Sequence, residues 1–106
     1  MNKLPDCPVE TTLLFFNNRW RVLIIRELMT GTKRFGELKR GIGQISQKVL
    51  TSNLRAMEEL GLLTRKIYAE VPPRVEYTLT DTGVSLESVL NVMDDWGTAY
   101  KAKINS

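Results

Sequence analysis

The stretch from Ser46 to Gly61 carries polar side chains of the types that bind DNA. Leu50, Leu54 and Met57 recur at i, i+4 and i+7, which predicts a helix with one apolar stripe. Side chains near a helix N-terminus can reach base edges and phosphates in a DNA major groove. A solvated helix face would carry similar residues, so the interpretation depends on the rest of the chain. The candidate groove-facing residues are Ser46, Gln47, Lys48, Thr51, Ser52 and Arg55.

The ends of this predicted helix and the segment before it indicate a helix-turn-helix unit. The Ser46 hydroxyl can accept an N–H of the first turn, and Gly61 can take the left-handed conformation that ends a helix. Ile45 and Leu50 are spaced as a hydrophobic staple. Residues 33–42 predict a shorter helix, with a glycine-containing turn after it. Two short helices joined by such a turn predict a helix-turn-helix unit at residues 33–61.

A β-hairpin is predicted directly after this unit, because the hydrophobic period changes to two. Two runs of alternating residues flank Val71-Pro72-Pro73-Arg74, which makes a stiff tip. A hairpin in this position is a wing, at residues 62–79. Arg74 could enter a minor groove or hold a phosphate, and a solvated loop arginine is the alternative. The residues predicted to point inward are Leu63, Ile67, Ala69, Val75, Tyr77 and Leu79.

Helices are predicted on both sides of these elements. Residues 7–29 predict N-terminal helices at Val9–Phe16 and Arg19–Met29, and residues 80–104 predict one C-terminal helix capped by Thr80. The C-terminal stripe exceeds what a small winged core can cover, so a twofold partner would bury it. Alternatively, that helix folds back on its own domain. The predicted dimer interface contains Val9, Leu13, Phe16, Leu86, Leu90, Met93, Trp96 and Tyr100.

Composition sets the class of protein and its partners. A chain of 106 residues predicts a single domain, residues 1–106, and 42% hydrophobic residues are ordinary for a globular protein. With no long apolar run and no signal peptide, we expect no membrane partner and a cytoplasmic location. The net charge of +3 is unevenly distributed. A basic middle and an acidic segment at 81–95 indicate a polyanion partner, with further cations at Lys33, Arg34, Lys39 and Arg40.

The sequence argues against an enzyme. It contains no histidine and one cysteine, Cys7, so neither a metal site of nitrogen and sulfur ligands nor the common nucleophile–base pairs are expected. No glycine-rich phosphate loop is present either. We therefore expect no cofactor and no metal. Cys7 itself is either a reactive thiol near a helix N-terminus or a small apolar residue buried beside Val9.

The order of motifs resembles the HxlR family of bacterial winged-helix transcriptional regulators, which are relatives of the MarR type. The resemblance spans about Cys7 to Trp96. It implies a homodimeric DNA-binding regulator, and the Cys7 position is similar to a cysteine that some members use to sense electrophiles or oxidants. One departure is Asn17-Asn18-Arg19-Trp20, where the family often has two glycines and a lysine before the tryptophan. The matching motifs include Cys7-Pro8-Val9-Glu10, Ile45-Ser46-Gln47-Lys48, Leu60-Gly61-Leu62 and Glu70-Val71-Pro72-Pro73-Arg74-Val75-Glu76-Tyr77.

The predicted fold is mainly α with a small β-hairpin wing (α+β), a winged helix-turn-helix with N- and C-terminal dimerisation helices. The leading functional hypothesis is a sequence-specific regulator that binds double-stranded promoter or operator DNA as a homodimer and responds to oxidants or electrophiles through Cys7. The alternative is a winged-helix module for protein assembly without specific DNA binding. The sequence leaves open whether an oxidant or a small molecule acts as effector, and whether the protein represses or activates.

Overall fold

Six helices and three strands follow one another in the computed structural model, which describes residues 3–106. No helix within this range is long and apolar enough to span a bilayer. In chain order the first five elements are α1 (Pro8–Leu13), α2 (Arg19–Leu28), β1 (Lys33–Arg34), α3 (Phe35–Ile42) and α4 (Gln47–Glu59). The remainder are β2 (Leu63–Tyr68), β3 (Arg74–Leu79), α5 (Asp81–Ser85) and α6 (Glu87–Asn105).

The core lies where α2, α3 and α4 meet the sheet. The apolar stripe predicted for α4 is buried, with Leu50, Leu54 and Met57 all at most 2% exposed. Helix α2 buries Ile24, which the pattern predicted, and also Ile25. The hydrophobic effect therefore fixes which side of α4 faces inward. The remaining buried hydrophobic residues are Leu28, Leu38, Ile45, Leu62, Leu63 and Tyr77.

The predicted ends of α4 are confirmed. Ser46 Oγ accepts a hydrogen bond from the Val49 N–H at 3.1 Å. Ile45 and Leu50 are both buried, as a hydrophobic staple requires. Gly61 has a φ of 77°, a conformation that suits glycine. The helix that presents the candidate DNA-binding residues therefore begins and ends where the sequence indicates.

The wing is confirmed as an antiparallel hairpin, but the sheet has a third strand that the sequence analysis missed. Its order is β1-β3-β2, with Leu63 opposite Leu79 and Tyr68 opposite Arg74. Lys33 and Arg34 form β1 against β3, where a helical start was predicted. The helix begins only at Phe35, and the Arg34 N–H donates to Glu37 Oε1 at 2.8 Å. A two-residue strand is too short to show a period.

The predicted inward set of the wing is correct for one strand and wrong for part of the other. Tyr77 is buried, and Val75 and Leu79 pack partly against the core. Ile67, however, is 60% exposed, and Ala69 lies outside β2 and is also exposed. Both lie toward the tip of the hairpin, further along the chain than Leu63, the buried residue of β2. Alternation along a strand indicates a buried face only where another layer covers it.

The C-terminal segment forms two helices rather than one. Thr80 caps α5 as predicted, with its Oγ1 accepting from the Gly83 N–H at 3.2 Å, and the chain turns at Leu86 before α6. Gly83 is buried so tightly against the Leu62 carbonyl that a Cβ would not fit there. This close approach holds α5 against the residue that precedes β2. At the N-terminus, α1 ends at Leu13 rather than Phe16.

Three residues of the predicted dimer interface are already partly buried within the protomer. Phe16, Leu86 and Leu90 are partly buried and pack against the core cluster. Leu86 and Leu90 lie at the beginning of the C-terminal stripe and Phe16 lies just after α1, so the chain itself partly covers all three. The exposed members are Val9, Leu13, Met93, Trp96 and Tyr100.

Candidate nucleic-acid interface

The outer face of α4 brings five predicted DNA-binding residues together. Gln47, Lys48, Ser52 and Arg55 are exposed and Thr51 is half-buried. These five residues line one open depression together with Ala56 and Glu59. Because the buried stripe occupies the opposite side of the helix, this face is left to solvent. The arrangement offers amide, hydroxyl and guanidinium donors along one helical surface.

The cations of this face are free of internal partners. Among residues 3–106, the ion pairs within 4.0 Å are made by Arg26, Arg65 and Arg74. Neither Lys48 nor Arg55 therefore has a carboxylate at that distance. A cation that is unpaired in the free protein can neutralise a phosphate or donate to a base without first breaking an ion pair. Ser46 differs, because its oxygen already accepts from the Val49 N–H. Its hydroxyl hydrogen and the second lone pair of its oxygen remain available to a ligand.

The cations before α4 lie in two other places. Lys39 and Arg40 line a second depression with Gly36 and Gly43, beside the turn into α4. Arg34 is exposed and lines a groove with the wing tip, residues 70–75. Lys33 is half-buried within β1. The structure therefore places Lys39 and Arg40 beside the turn into α4 and Arg34 beside the wing tip.

Arg74 is not the free cation at the tip that the sequence suggested. Its Nη2 lies 3.2 Å from Glu70 Oε2 and its Nε lies 3.4 Å from Glu76 Oε2, although the Nε contact lacks hydrogen-bond geometry. Its guanidinium also stacks on Tyr68, with Cζ 3.9 Å from the ring centroid. The two carboxylates oppose its charge, so a phosphate would have to compete with them.

These contacts form a clasp across the base of the wing tip, which we define as Tyr68, Glu70, Arg74 and Glu76. Tyr68 and Arg74 are cross-strand partners, and Glu70 precedes Arg74 by four residues. The sequence did not predict this clasp, although Glu70 and Glu76 on either side of Arg74 indicate possible ion pairs. Cross-strand pairs of this kind stabilise a hairpin locally.

A second contact joins the wing to α4. Arg65 Nε lies 3.2 Å from Glu58 Oε1, which connects β2 to the last turn of the helix. Tyr77 is the cross-strand partner of Arg65 and is buried. Burial raises the pKa of the Tyr77 hydroxyl above its ordinary value of 10.0. The negative charge of Glu58 raises this pKa further, whereas the positive charges of Arg65 and Arg55 lower it. A polar contact therefore connects the wing to the last turn of α4.

Cys7 is a free and exposed thiol immediately before α1. The alternative of a small buried apolar residue is therefore wrong. The residue occupies the N-cap position, but its side chain makes no capping hydrogen bond. Its sulfur is accessible to a soluble oxidant or to another thiol.

Comparisons with known proteins agree with this geometry. The HxlR-like helix-turn-helix family model matches residues 15–105. The HTH-type transcriptional regulator YdeP of Bacillus subtilis strain 168 is 43% identical over 99 residues, which cover 93% of this chain and 77% of YdeP. A structure named as a MarR-family transcriptional regulator, from Porphyromonas gingivalis W83, superimposes with a TM-score of 0.85 at 37% identity, covering 92% of this chain and 96% of that one.

A redox regulator is also among the similar structures. The redox regulator HypR in its reduced form superimposes with a TM-score of 0.86 at 36% identity, covering 93% of this chain and 98% of HypR. Identity at this level over most of both chains indicates the same fold and the same family, rather than a likeness of architecture alone.

The clasp predicts a local effect of replacing Arg74. Arg74→Ala removes two ion pairs and a cation–π contact near the surface, so we expect faster amide hydrogen exchange at residues 69–75. Global stability should fall by only about 1 kcal/mol. Hydrogen exchange followed by mass spectrometry measures both the local exchange at residues 69–75 and the exchange of the rest of the chain. Lys66→Ala is the control, because Lys66 Nζ lies 4.9 Å from the Tyr68 ring without an ion pair among the described residues. Equal exchange in the two variants would contradict the clasp.

Proposed function

The chain belongs to the HxlR family of helix-turn-helix transcriptional regulators, and we propose that it binds operator DNA as a homodimer with α4 in the major groove. The observation that supports this most strongly is the outer face of α4, where exposed donors and unpaired cations lie together. Helix-turn-helix proteins read base edges with the second helix of the motif. Here that helix is α4, and α3 precedes it across the turn at Gly43.

We propose a division of labour among the site residues. Base readout is assigned to the amide, hydroxyl and guanidinium groups of α4, in Gln47, Thr51, Ser52 and Arg55. Phosphate contacts fix the register of a protein on the duplex and supply salt-dependent affinity. They are assigned to Lys33, Arg34, Lys39, Arg40, Ser46 and Lys48.

Arg74 is assigned to the wing in a supporting role. Its pairing with Glu70 and Glu76 reduces its attraction for a phosphate, and its stacking on Tyr68 holds the tip in position. Arg34 lines the same groove and is exposed. We propose that Arg34 makes the phosphate contact beside the wing and that Arg74 keeps the wing in place for it.

We propose that α1 and α6 form the dimer interface. The apolar side chains that the protomer leaves exposed lie mainly on these helices, and on α6 Trp96 and Tyr100 stack with ring centroids 5.2 Å apart. An exposed apolar surface of this extent is stabilised by a partner that removes it from water. The proposed interface consists of Val9, Leu13, Val92, Met93, Trp96, Tyr100 and Ile104.

Twofold symmetry would place two copies of α4 on one face of the DNA. Half-sites about one helical turn apart, roughly 34 Å, suit such a dimer. We propose that the whole chain acts as one winged helix-turn-helix domain with flanking dimerisation helices. We propose that it acts in the cytoplasm, where the chromosome of a bacterium lies, and that it regulates transcription rather than catalysing a reaction.

We propose that Cys7 makes DNA binding responsive to oxidants. The thiol is exposed, and the similar protein HypR is named a redox regulator and has been solved in oxidised and reduced forms. Oxidation would join the Cys7 sulfur to a second thiol, from a partner subunit or a small molecule, with loss of two protons and two electrons to the oxidant. Because Cys7 is the N-cap of α1, a new bond there would act on the proposed dimer interface.

The assignment of Arg55 to base readout predicts a loss of specificity. Arg55→Ala should weaken binding to the cognate site by about 1–3 kcal/mol while leaving binding to scrambled DNA little changed. Fluorescence anisotropy with both duplexes measures this. Arg26→Ala is the control, because Arg26 is an exposed arginine of α2 outside the α4 depression. An equal loss on both duplexes would show that Arg55 contacts only phosphate.

The proposed role of Cys7 predicts an oxidant effect that requires its sulfur. A thiol oxidant such as diamide should weaken operator binding by wild-type protein several-fold, and a reductant should restore it, because a disulfide forms and breaks reversibly. Cys7→Ser should bind the operator normally and ignore the oxidant. Wild-type protein that keeps full affinity after its thiol has been consumed would exclude Cys7 as a sensor.

A further inference from the structure

A short relay of hydrogen bonds connects the start of α2 to the recognition helix. Asn18 caps α2, with its Oδ1 accepting from the Arg21 N–H at 3.1 Å. Asn18 Nδ2 donates to Asn53 Oδ1 at 3.1 Å, and Asn53 Nδ2 donates to the Val49 carbonyl at 2.8 Å. Asn53 belongs to α4 and is 8% exposed, the buried polar residue among the core side chains.

The orientation of both amides follows from the backbone groups at the two ends of the relay. The Arg21 N–H can only donate, so the oxygen of Asn18 faces it and the amide nitrogen of Asn18 faces Asn53. The Val49 carbonyl can only accept, so the nitrogen of Asn53 faces it and the oxygen of Asn53 faces Asn18. The contact between the side chains is therefore a donor against an acceptor, and neither amide can reverse alone without placing like groups together.

The relay also reaches α1. Arg21 Nη1 donates to the Leu14 carbonyl at 2.9 Å, where α1 has just ended. The Asn18–Asn53 contact spans 35 residues of sequence. At the other end, Asn53 lies between Ser52 and Arg55, two of the proposed base-reading residues. A polar contact at this point restrains both the rotation of α4 about its axis and its position along it, which apolar packing leaves freer.

We propose that Asn18 and Asn53 are positioning residues for DNA recognition. Their hydrogen bond sets the orientation of α4 relative to the junction of α1 and α2, and thereby the direction in which the base-reading side chains point. This inference rests on the proposed function of α4 and adds to it a contact that touches no DNA. Loss of the contact reduces affinity for the operator while affinity for non-cognate DNA stays the same, because the phosphate-binding charges are unchanged.

Asn18→Asp tests this with little disturbance of the fold. Aspartate is as good an N-cap as asparagine and suits the helix dipole, so α2 remains capped. The carboxylate, however, has no donor for Asn53 Oδ1 and places an acceptor against it. Asn17→Asp is the matched control, since it adds the same charge one residue away and keeps an acceptor for Asn18 Nδ2, which now contacts Asn17 Oδ1 at 3.1 Å.

The experiment measures the affinity of each full-length variant for a duplex selected by the wild-type protein from a random pool, and for a scrambled duplex. We expect Asn18→Asp to bind the selected duplex about tenfold more weakly than Asn17→Asp, and the scrambled duplex equally. In an Asn53→Ala background the two aspartate variants should become equal, because the opposing oxygen is gone. Circular dichroism confirms that each variant is folded at the temperature used.

The outcomes separate this inference from the proposed function. Equal binding of the selected duplex by Asn18→Asp and Asn17→Asp would overturn the positioning role, and so would a difference that persists in the Asn53→Ala background. The first comparison uses only surface variants, so it holds even if Asn53→Ala does not fold. Wild-type protein that selects no sequence from the pool would instead overturn the proposed function, and the positioning role with it.

Discussion

The burial of one side of α4 is the constraint on which the rest of the structure depends. Leu50, Leu54 and Met57 are removed from water against α2 and the sheet. Fully burying a side chain of this type contributes about 1.5–3 kcal/mol. Because a helix is rigid at this length, burial of one side determines what the other side presents. The donors and cations of the outer α4 face are exposed because the apolar stripe on the opposite side is buried.

Polar contacts then restrict the relative positions of α2, α4 and the wing more closely than the apolar core does. Arg65 and Glu58 attach the wing to the end of α4, and the clasp around Arg74 holds the wing tip. The Asn18–Asn53 hydrogen bond attaches the beginning of α2 to the middle of α4. Each contact joins elements of the fold that are separate along the chain. Together they set the relative positions of the elements that would meet DNA.

The sequence predicted the features that rest on long or strongly marked patterns. Ser46 and Gly61 predicted the two ends of α4. The hydrophobic period of two predicted the hairpin and the inward residues of β3. The two-residue β1 is too short for a period, and the break at Leu86 lies beside the close packing of Gly83 on Leu62, which joins distant parts of the chain. The pairing of Arg74 and the amide contact of Asn53 also depend on tertiary structure. A sequence shows the charge or amide but not its partner.

In the proposed function, two copies of α4 read DNA as a symmetric pair. Hydroxyl-radical footprinting on a duplex selected by the protein tests it most directly, because it shows protection nucleotide by nucleotide. We expect two protected half-sites related by a twofold axis, centred about one helical turn apart. A single protected segment without symmetry, or uniform protection along the duplex, would contradict it.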